Sequence, residues 1–284
     1  MRVSFYPGCS LEGTAREYGE SIRAVCRALD IEIEEIPGWN CCGASSAHAT
    51  NEILSLALPA RNLSLAERSG QGSLVTPCAA CFNRLKAAEK ALTGPSRMDV
   101  GIPLQGNVTV LHIMDFLTQL GLSEKVEAQV RKPLKDLKAV SYYGCLIVRP
   151  PRITGAAHWE DPDAMDRLIS QLGGESLFWS YKTECCGGSL VLTNTEIVRR
   201  LTGRLLDMAV ESGADCIVTS CPLCQSNLDT RQEEIGSVKG VRYDLPIFYF
   251  TELMGLAFDL RGVRTWLQRH LVDPLPLLRS RSLI

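Results

Sequence analysis

The sequence predicts an α/β fold that is made twice, with a small, largely parallel sheet and its helices in each half. Short β-branched runs alternate with longer segments whose apolar residues recur at helical spacing, which is typical of α/β proteins. Ten of the twelve cysteines in the 284 residues repeat in register between the two halves of the chain. A repeat on this scale indicates a duplicated domain, and we expect the two copies to be related by a pseudo-two-fold axis.

The strands are predicted from short apolar runs that end at a turn or at a cysteine. "RVSFY" (2–6) ends at Pro7-Gly8, and "AVSYYG" (139–144) has the same character. "SLVT" and "CIVT" are followed closely by Cys78 and Cys221. Because sites in parallel sheets form beyond the carboxyl ends of strands, the cysteines are expected at one edge of each sheet.

Two long segments have apolar residues at helical spacing, and each follows a pair of adjacent cysteines. These are "TNEILSLALPARNLSLAER" and "TNTEIVRRLTGRLLDMAVE", for which Thr50 and Thr193 are predicted as N-caps. "VTVLHIMDFLTQLG" and "LPIFYFTELMGLAF" each indicate a strand followed directly by a helix.

The cysteine repeat divides the chain into two copies of one pattern. Each half has one cysteine, then an adjacent pair followed by glycine, then a C-x-x-C motif, "CAAC" in one half and "CPLC" in the other. The stretch "VRKPLKDLK" between the copies is charged and contains proline, as a linker does. We therefore predict an N-terminal domain over residues 1–135 and a C-terminal domain over residues 136–284.

Composition and charge exclude several classes of function. The hydrophobic content of 45% is ample for a buried core, and the net charge of −2 without a basic run gives no indication of nucleic acid binding. The apolar stretches are too short and interrupted for a membrane span, and the N-terminus does not have the pattern of a secretory signal. A cytoplasmic location is expected, where so many cysteines indicate metal or redox chemistry rather than disulfides.

The number and spacing of the cysteines favour an iron–sulfur cluster over zinc without excluding zinc. A structural zinc ion takes four ligands, whereas five cysteines repeat in each half, and two adjacent residues fit poorly on one small tetrahedron. The cysteine run of ordinary cubane ferredoxins is absent. Cys26 and Cys216 do not repeat, and we predict that they are buried core thiols.

The double pattern, with "FYPGC", "YKTECCGGSL" and "TSCPLCQSNL", resembles the CCG-domain family and specifically the B-type subunit of heterodisulfide reductases. The resemblance covers nearly the whole chain and both copies. It implies that each half holds one non-cubane 4Fe–4S cluster. The implied ligands in the first half are Cys9, Cys41, Cys42, Cys78 and Cys81. The implied ligands in the second half are Cys145, Cys185, Cys186, Cys221 and Cys224.

The resemblance also implies a reaction and partners. Members of the family split a disulfide between two clusters in two one-electron steps, and the reverse reaction joins or oxidises thiols. The chain has no flavin or nicotinamide fingerprint, so the resemblance implies a ferredoxin-like subunit of the C type and a flavin subunit of the A type. The alternative from another class is an iron–sulfur electron-transfer subunit of a lactate, glycolate or succinate oxidoreductase, or of a sulfur-oxidising complex.

Substrates of this family carry anionic groups, which arginine and lysine bind well. Arg149 and Lys182 flank the cysteines of the second half and are the predicted anion contacts, while His158 is the predicted proton donor to a leaving thiolate. The competing interpretation of all three is a solvated charge on a loop.

Overall fold

The computed structural model of the chain describes residues 1–44, 47–94, 98–119 and 123–284. The strands of the described residues are β1 (Arg2–Phe5), β2 (Glu32–Glu35), β3 (Ser73–Thr76), β4 (Thr109–His112), β5 (Lys138–Tyr142), β6 (Glu175–Ser176), β7 (Cys216–Thr219) and β8 (Ile247–Tyr249).

The helices of the described residues are divided between the two halves of the chain. Those of the first half are α1 (Gly8–Glu12), α2 (Arg16–Ala28), α3 (Ala47–Thr50), α4 (Glu52–Ser69), α5 (Ala79–Thr93), α6 (Ile113–Gln119) and α7 (Ser123–Gln129). Those of the second half are α8 (Pro151–Thr154), α9 (Ala164–Gln171), α10 (Thr195–Glu211), α11 (Pro222–Thr230), α12 (Gln232–Lys239), α13 (Phe250–Ala257), α14 (Val263–Leu267) and α15 (Leu275–Ser280), with a 3-10 turn at Gly188–Leu190.

The two sheets have the same topology, and this confirms the predicted α/β fold with two similar halves. Their strand orders are β2-β1-β3-β4 and β6-β5-β7-β8, and every pair of neighbouring strands is parallel. The runs "SLVT" and "CIVT" form β3 and β7 as predicted. Cys9 and the C-x-x-C motifs follow β1, β3 and β7 and so lie at the carboxyl edges of the sheets.

The long helices that follow the adjacent cysteines are capped one residue later than the sequence predicts. The Asn51 side chain accepts a hydrogen bond from Leu54 N at 2.8 Å, and the Asn194 side chain accepts one from Ile197 N at 3.2 Å. Thr193 instead donates to Leu190 O, and Thr50 lies at the end of α3. Asparagine is as good an N-cap as threonine or better. The sequence Thr-Asn therefore does not decide which of the two residues caps the helix.

The halves pack against each other through reciprocal elements. Helix α2 of the first half lies on α13 of the second, and the equivalent helices α9 and α6 also contact each other. One core cluster contains residues of both halves, among them Tyr18 and Ile22 on α2, Phe248 on β8 and Leu253 on α13. Reciprocal contacts of this kind are what a pseudo-two-fold relation between duplicated halves produces.

The connecting segment packs on the second half. Arg131 N donates to Ala257 O at 2.8 Å, and Leu134 N donates to Leu172 O at 2.8 Å. The division of domains at residues 135 and 136 stays a prediction. None of the helices that the structure describes is both long enough and apolar enough to cross a membrane.

Candidate metal centre

The first group of cysteines is assembled from three loops at the carboxyl edge of the first sheet. The Sγ atoms of Cys42 and Cys81 are 3.3 Å apart, and the Gly43 amide points to Cys41 Sγ at 3.5 Å. Cys42, Cys78 and Cys81 are buried, whereas Cys9 and Cys41 are exposed. The five cysteines predicted for the first site therefore lie together, with two of their thiols at the surface.

The second group repeats this arrangement in the second half. The Sγ atoms of Cys186 and Cys224 are 3.8 Å apart, and the Gly187 amide points to Cys185 Sγ at 3.2 Å. Cys145 lies in hydrogen-bond contact with Cys185, and Cys221 with Cys224. In this half Cys145 and Cys185 are half-buried, so the second group is the more enclosed of the two.

The two groups meet where the halves meet. Cys78, a member of the first group, is in hydrogen-bond contact with its equivalent Cys221 of the second. Next to this contact the Tyr18 hydroxyl donates to Ser220 O at 3.0 Å, which ties α2 of the first half to the loop before Cys221. Contacts between cysteines thus cross the interface of the two halves, from Cys42 and Cys81 through Cys78 and Cys221 to Cys224 and Cys186.

Two tyrosines that the sequence analysis did not single out position the adjacent cysteines. The Tyr6 hydroxyl donates to Asn40 O at 2.9 Å, and the Tyr142 hydroxyl donates to Glu184 O at 2.8 Å. Each acceptor lies directly before an adjacent pair of cysteines, and burial raises the pKa of both phenols. The signal was present in the repeated "FYPGC" and "SYYGC", where the aromatic residue stands three positions before the cysteine.

Two glycines keep space open beside the cysteines. A Cβ atom on Gly8 would lie 3.1 Å from Cys81 Sγ, and a Cβ atom on Gly144 would lie 3.1 Å from Cys224 Sγ. Both residues have positive φ, +70° and +67°, which favours glycine. In both halves, therefore, backbone shape and local crowding exclude a side chain at the position before the first cysteine.

Each contact between two thiols lowers the pKa of one partner and raises the pKa of the other. The hydrogen bond with Cys81 lowers the pKa of Cys42 to about 7, and the hydrogen bond with Cys145 lowers the pKa of Cys185 to about 6. The same contacts raise the pKa of Cys81 and Cys145. Thiolates are the form of cysteine that binds metal, so each group already contains a cysteine that ionises readily.

The donor set fits iron–sulfur clusters in its chemistry. Five soft sulfur ligands from three loops, with glycines that admit a bulky group, suit a polynuclear cluster. In the described residues, no three or more His, Cys, Asp or Glu side chains form a ready site for a metal ion.

Arg149 lies beside the second group, with part of its hydrogen-bonding capacity unused. A terminal guanidinium nitrogen donates to Thr183 Oγ1 at 3.0 Å, and the guanidinium carbon lies 5.7 Å from the Trp159 ring centre. Its buried Nε atom has no hydrogen-bond partner among the described residues. The side chain is half-buried, so the guanidinium is held in place while still open to a ligand.

The other two predicted substrate residues are placed differently. The Lys182 ammonium is buried and bonds to Asp161 at 2.8 Å, to Asp166 at 3.3 Å and to Pro162 O at 3.1 Å. Two carboxylates already neutralise it, so the structure gives no support to its role as an anion contact. His158 is exposed on the loop after α8.

The two cysteines that do not repeat lie in the core. Cys26 on α2 and Cys216 on β7 are both fully buried and belong to the cluster shared by the halves. Burial raises the pKa of Cys26 to about 12 and also raises that of Cys216. Both are therefore held as neutral thiols, as the sequence predicts.

The fold and this assembly of cysteines identify the kind of protein. The family model described as the CCG cysteine-rich domain matches residues 3–86 and 139–229, one match in each half. The chain belongs to this family, and the predicted resemblance is confirmed.

Relatives of known name match over nearly the whole chain. The 8-methylmenaquinol:fumarate reductase membrane anchor subunit of Wolinella succinogenes is 31% identical over 95% of this chain and 96% of its own length. The B-type subunit of the ferredoxin:CoB-CoM heterodisulfide reductase of Methanosarcina mazei is 26% identical over 98% of this chain and 96% of its own length.

The fold also occurs in a solved structure. A hypothetical protein from Helicobacter pylori superimposes with a TM-score of 0.72 over 96% of this chain, at 11% sequence identity. The present chain spans about half of that protein, 52% of its length. At this identity the likeness concerns the fold alone.

Proposed function

We propose that the chain is the disulfide-cleaving subunit of a heterodisulfide reductase-type complex and that it holds two non-cubane 4Fe–4S clusters, one in each half. The observation that carries the proposal is the complete set of five cysteines in both halves, with the two sets in contact through Cys78 and Cys221. The similarity to the B-type subunit of the Methanosarcina enzyme over almost the whole chain supports it.

The cysteines proposed as ligands are Cys9, Cys41, Cys42, Cys78 and Cys81 in the first half and Cys145, Cys185, Cys186, Cys221 and Cys224 in the second. When bound, each cluster would supply one electron and an iron that accepts one sulfur of the disulfide. The chain itself fixes the geometry, because the Tyr6 and Tyr142 hydroxyls hold the adjacent cysteines and Gly8 and Gly144 leave room beside Cys81 and Cys224.

Arg149 is the residue that we propose as the contact to an anionic group of the substrate. Its guanidinium is fixed by Thr183 and stacked on Trp159, and the side chain as a whole is only half-buried. A guanidinium fixed in this way binds carboxylate, sulfonate or phosphate with little further loss of side-chain entropy. Lys182 is better placed to hold the loop before Cys185 in position, through Asp161 and Asp166.

The proposal requires partners that deliver electrons. The sequence contains no flavin or nicotinamide fingerprint, so we propose a ferredoxin-like iron–sulfur subunit next to this chain and a flavin subunit beyond it, in the cytoplasm. The M. mazei relative is named as a ferredoxin-dependent enzyme, which is consistent with an iron–sulfur donor.

Anaerobic purification followed by metal and sulfide analysis tests the proposal first. We expect about eight iron and about eight acid-labile sulfide per chain, four of each for each cluster, and no zinc. A chain that carries zinc or half the iron would contradict two iron–sulfur sites. Candidate disulfides are then tested with a reduced dye as electron donor, and reduction of at least one of them is expected.

The second candidate function is that of an iron–sulfur electron-transfer subunit. A relative of 31% identity is named as the membrane anchor subunit of the 8-methylmenaquinol:fumarate reductase of W. succinogenes, which fits this candidate loosely, as a subunit of an oxidoreductase that acts on fumarate. Full iron and sulfide, reduction of the clusters by the dye, and no turnover of any disulfide would favour this candidate over the first.

A further inference from the structure

Two threonines at equivalent positions have buried hydroxyl groups that bond to nothing in the part of the chain that the structure describes. They are Thr76, the last residue of β3, and Thr219, the last residue of β7, and both are fully buried. Each stands two residues before the first cysteine of a C-x-x-C motif. An unpaired buried hydroxyl costs about 1–3 kcal/mol, so the same feature in both halves requires a physical reason.

The repetition separates these threonines from other buried hydroxyls. Ser141 and Ser220 also lack partners among the described residues, but Phe5 and Pro77 occupy their equivalent positions in the first half. Elsewhere in the interface buried hydroxyls are paired, as between Ser21 and Thr251, whose oxygens are 2.7 Å apart.

Both hydroxyls lie on the face of the sheet that carries the cysteines. Thr219 is in register with Tyr142 on the neighbouring strand, and residues in register on parallel strands project to the same face. The Tyr142 hydroxyl bonds to the residue before Cys185. Two positions before Thr219, Ile217 packs in one cluster with Cys221 and Cys224.

The first half repeats this arrangement. Leu74, two positions before Thr76 and therefore on the same face of β3, packs in one cluster with Cys42, Cys78 and Cys81. The cysteine sulfurs do not accept from either threonine. A group held by the cysteines would lie on this face of each sheet and would offer each hydroxyl an acceptor.

We propose that the Thr76 and Thr219 hydroxyls each donate a hydrogen bond to an inorganic sulfur of the cluster in their own half and raise its reduction potential. This inference rests on the proposed function. A hydrogen bond to cluster sulfur stabilises the reduced form more than the oxidised form, because the reduced cluster carries one more negative charge. The threonines are thus residues that tune the potential of each site without binding iron.

The test replaces each hydroxyl by a methyl group of the same shape, in Thr76→Val and Thr219→Val. In redox titrations of the iron-loaded protein followed by electron paramagnetic resonance, we expect each change to lower the reduction equilibrium constant of one site about tenfold. For a one-electron couple a tenfold change corresponds to about 59 mV. The other site should keep its potential, so each variant is the control for the other, and Thr219→Ser should restore the value.

A second measurement uses the iron-free protein. Because the valine removes an unpaired polar group, the iron-free variants should melt at or above the temperature of the iron-free wild type. The control Thr251→Val removes a paired hydroxyl and should melt lower. A structural role of Thr76 and Thr219 instead predicts lower melting temperatures for their variants as well, and that result would overturn the inference.

Two further outcomes distinguish this inference from the proposed function. A wild-type protein without iron and sulfide would overturn both. Wild-type iron content with unchanged potentials in both valine variants would overturn the role of the threonines and leave the two clusters in place.

Discussion

Among single residues, the cysteines proposed as cluster ligands and the cysteines of the core should respond differently to substitution. Cys41→Ala and Cys185→Ala each remove an exposed or half-buried thiol from one proposed site, and each should cost about half of the iron. Cys26→Ala removes a buried core thiol and should keep all the iron, with a loss of stability of about 1 kcal/mol. Iron analysis and thermal melting of the three variants check this, and iron loss in Cys26→Ala alone would refute the ligand assignment.

Gly144 offers a second test on a single residue, with Gly155 as a matched control. Both have positive φ, +67° and +77°, so alanine brings similar backbone strain to each. Only at Gly144 would the new Cβ meet a cysteine, 3.1 Å from Cys224 Sγ, whereas at Gly155 nothing lies within 4 Å. Gly144→Ala should therefore lose the iron of the second site, and Gly155→Ala should lose only about 1 kcal/mol of stability. Equal iron content in the two variants would show that the close approach is unimportant.

The proposed role of Arg149 predicts that substitutions of Arg149 and of Lys182 change different properties of the protein. Arg149→Gln should raise the KM for an anionic disulfide about ten- to a hundredfold, because it removes a hydrogen bond to a charged group. The cluster spectra should stay unchanged. Lys182→Gln should instead lower the melting temperature, because Asp166 loses its buried partner. Steady-state kinetics and melting curves separate the two, and a KM change below threefold in Arg149→Gln would reject the anion contact.

Between secondary-structure elements, a buried ion pair that no pattern in the sequence predicts joins α13 to the segment after α14. His270 Nε2 lies 2.9 Å from Glu252 Oε1, and both side chains are fully buried. Glu17 on α2 and Asp229 on α11 add negative charge around the imidazole. Burial by itself lowers the pKa of His270, but these carboxylates outweigh it and raise the pKa to about 9.

This pair predicts how stability depends on pH. Since the pKa of His270 is about 6.5 unfolded and about 9 folded, the stabilisation is complete below pH 6.5 and is lost as the pH rises through 9. It amounts to at most about 3 kcal/mol, because the buried Nδ1 atom has no partner among the described residues and this disfavours the charged form. Burial also raises the pKa of Glu17 above 4.5, so Glu17 likewise lowers stability as the pH rises, but this loss begins near pH 4.5 and is separate from that of His270.

Chemical denaturation of the wild type and of His270→Gln between pH 6 and pH 10 measures this effect. The difference in unfolding free energy between the two proteins should be largest at the low end and should shrink toward pH 10. A difference that does not change with pH would mean that His270 is neutral in the folded protein.

Across the molecule, the two halves share their main core, so neither should be stable alone. Tyr18 stacks on Tyr249 with the ring centres 4.0 Å apart, and Ile22 packs in the same cluster as Phe248 and Leu253. Removing one half would expose this surface to water at about 25 cal/mol for each Å² of apolar area.

We therefore expect the full chain to unfold in one cooperative transition and the fragment 1–135 to lack fixed tertiary structure. Calorimetry of the full chain and near-ultraviolet circular dichroism of the fragment check this. A fragment with native-like near-ultraviolet signals would show that the first half folds independently, with the same sheet but without the support of α13.

The order of residues along the chain was enough to predict the duplicated α/β fold, the strands β3 and β7, and the grouping of cysteines at one edge of each sheet. These features depend on local periodicity and on the repeat, which one sequence displays directly. The core thiols Cys26 and Cys216 were predictable for the same reason, because they break the repeat, Cys26 on the apolar face of a helical segment and Cys216 at the start of an apolar run.

Which side chains meet across the two halves was settled by the packing of the folded chain. The contact of Cys78 with Cys221, the ion pairs of Lys182 and the burial of His270 against Glu252 all join residues that are far apart in the chain. The unpaired hydroxyls of Thr76 and Thr219 likewise became visible only when every neighbouring group was in place. Such contacts follow from how the packed helices and sheets orient each side chain, and spacing along the sequence does not contain that information.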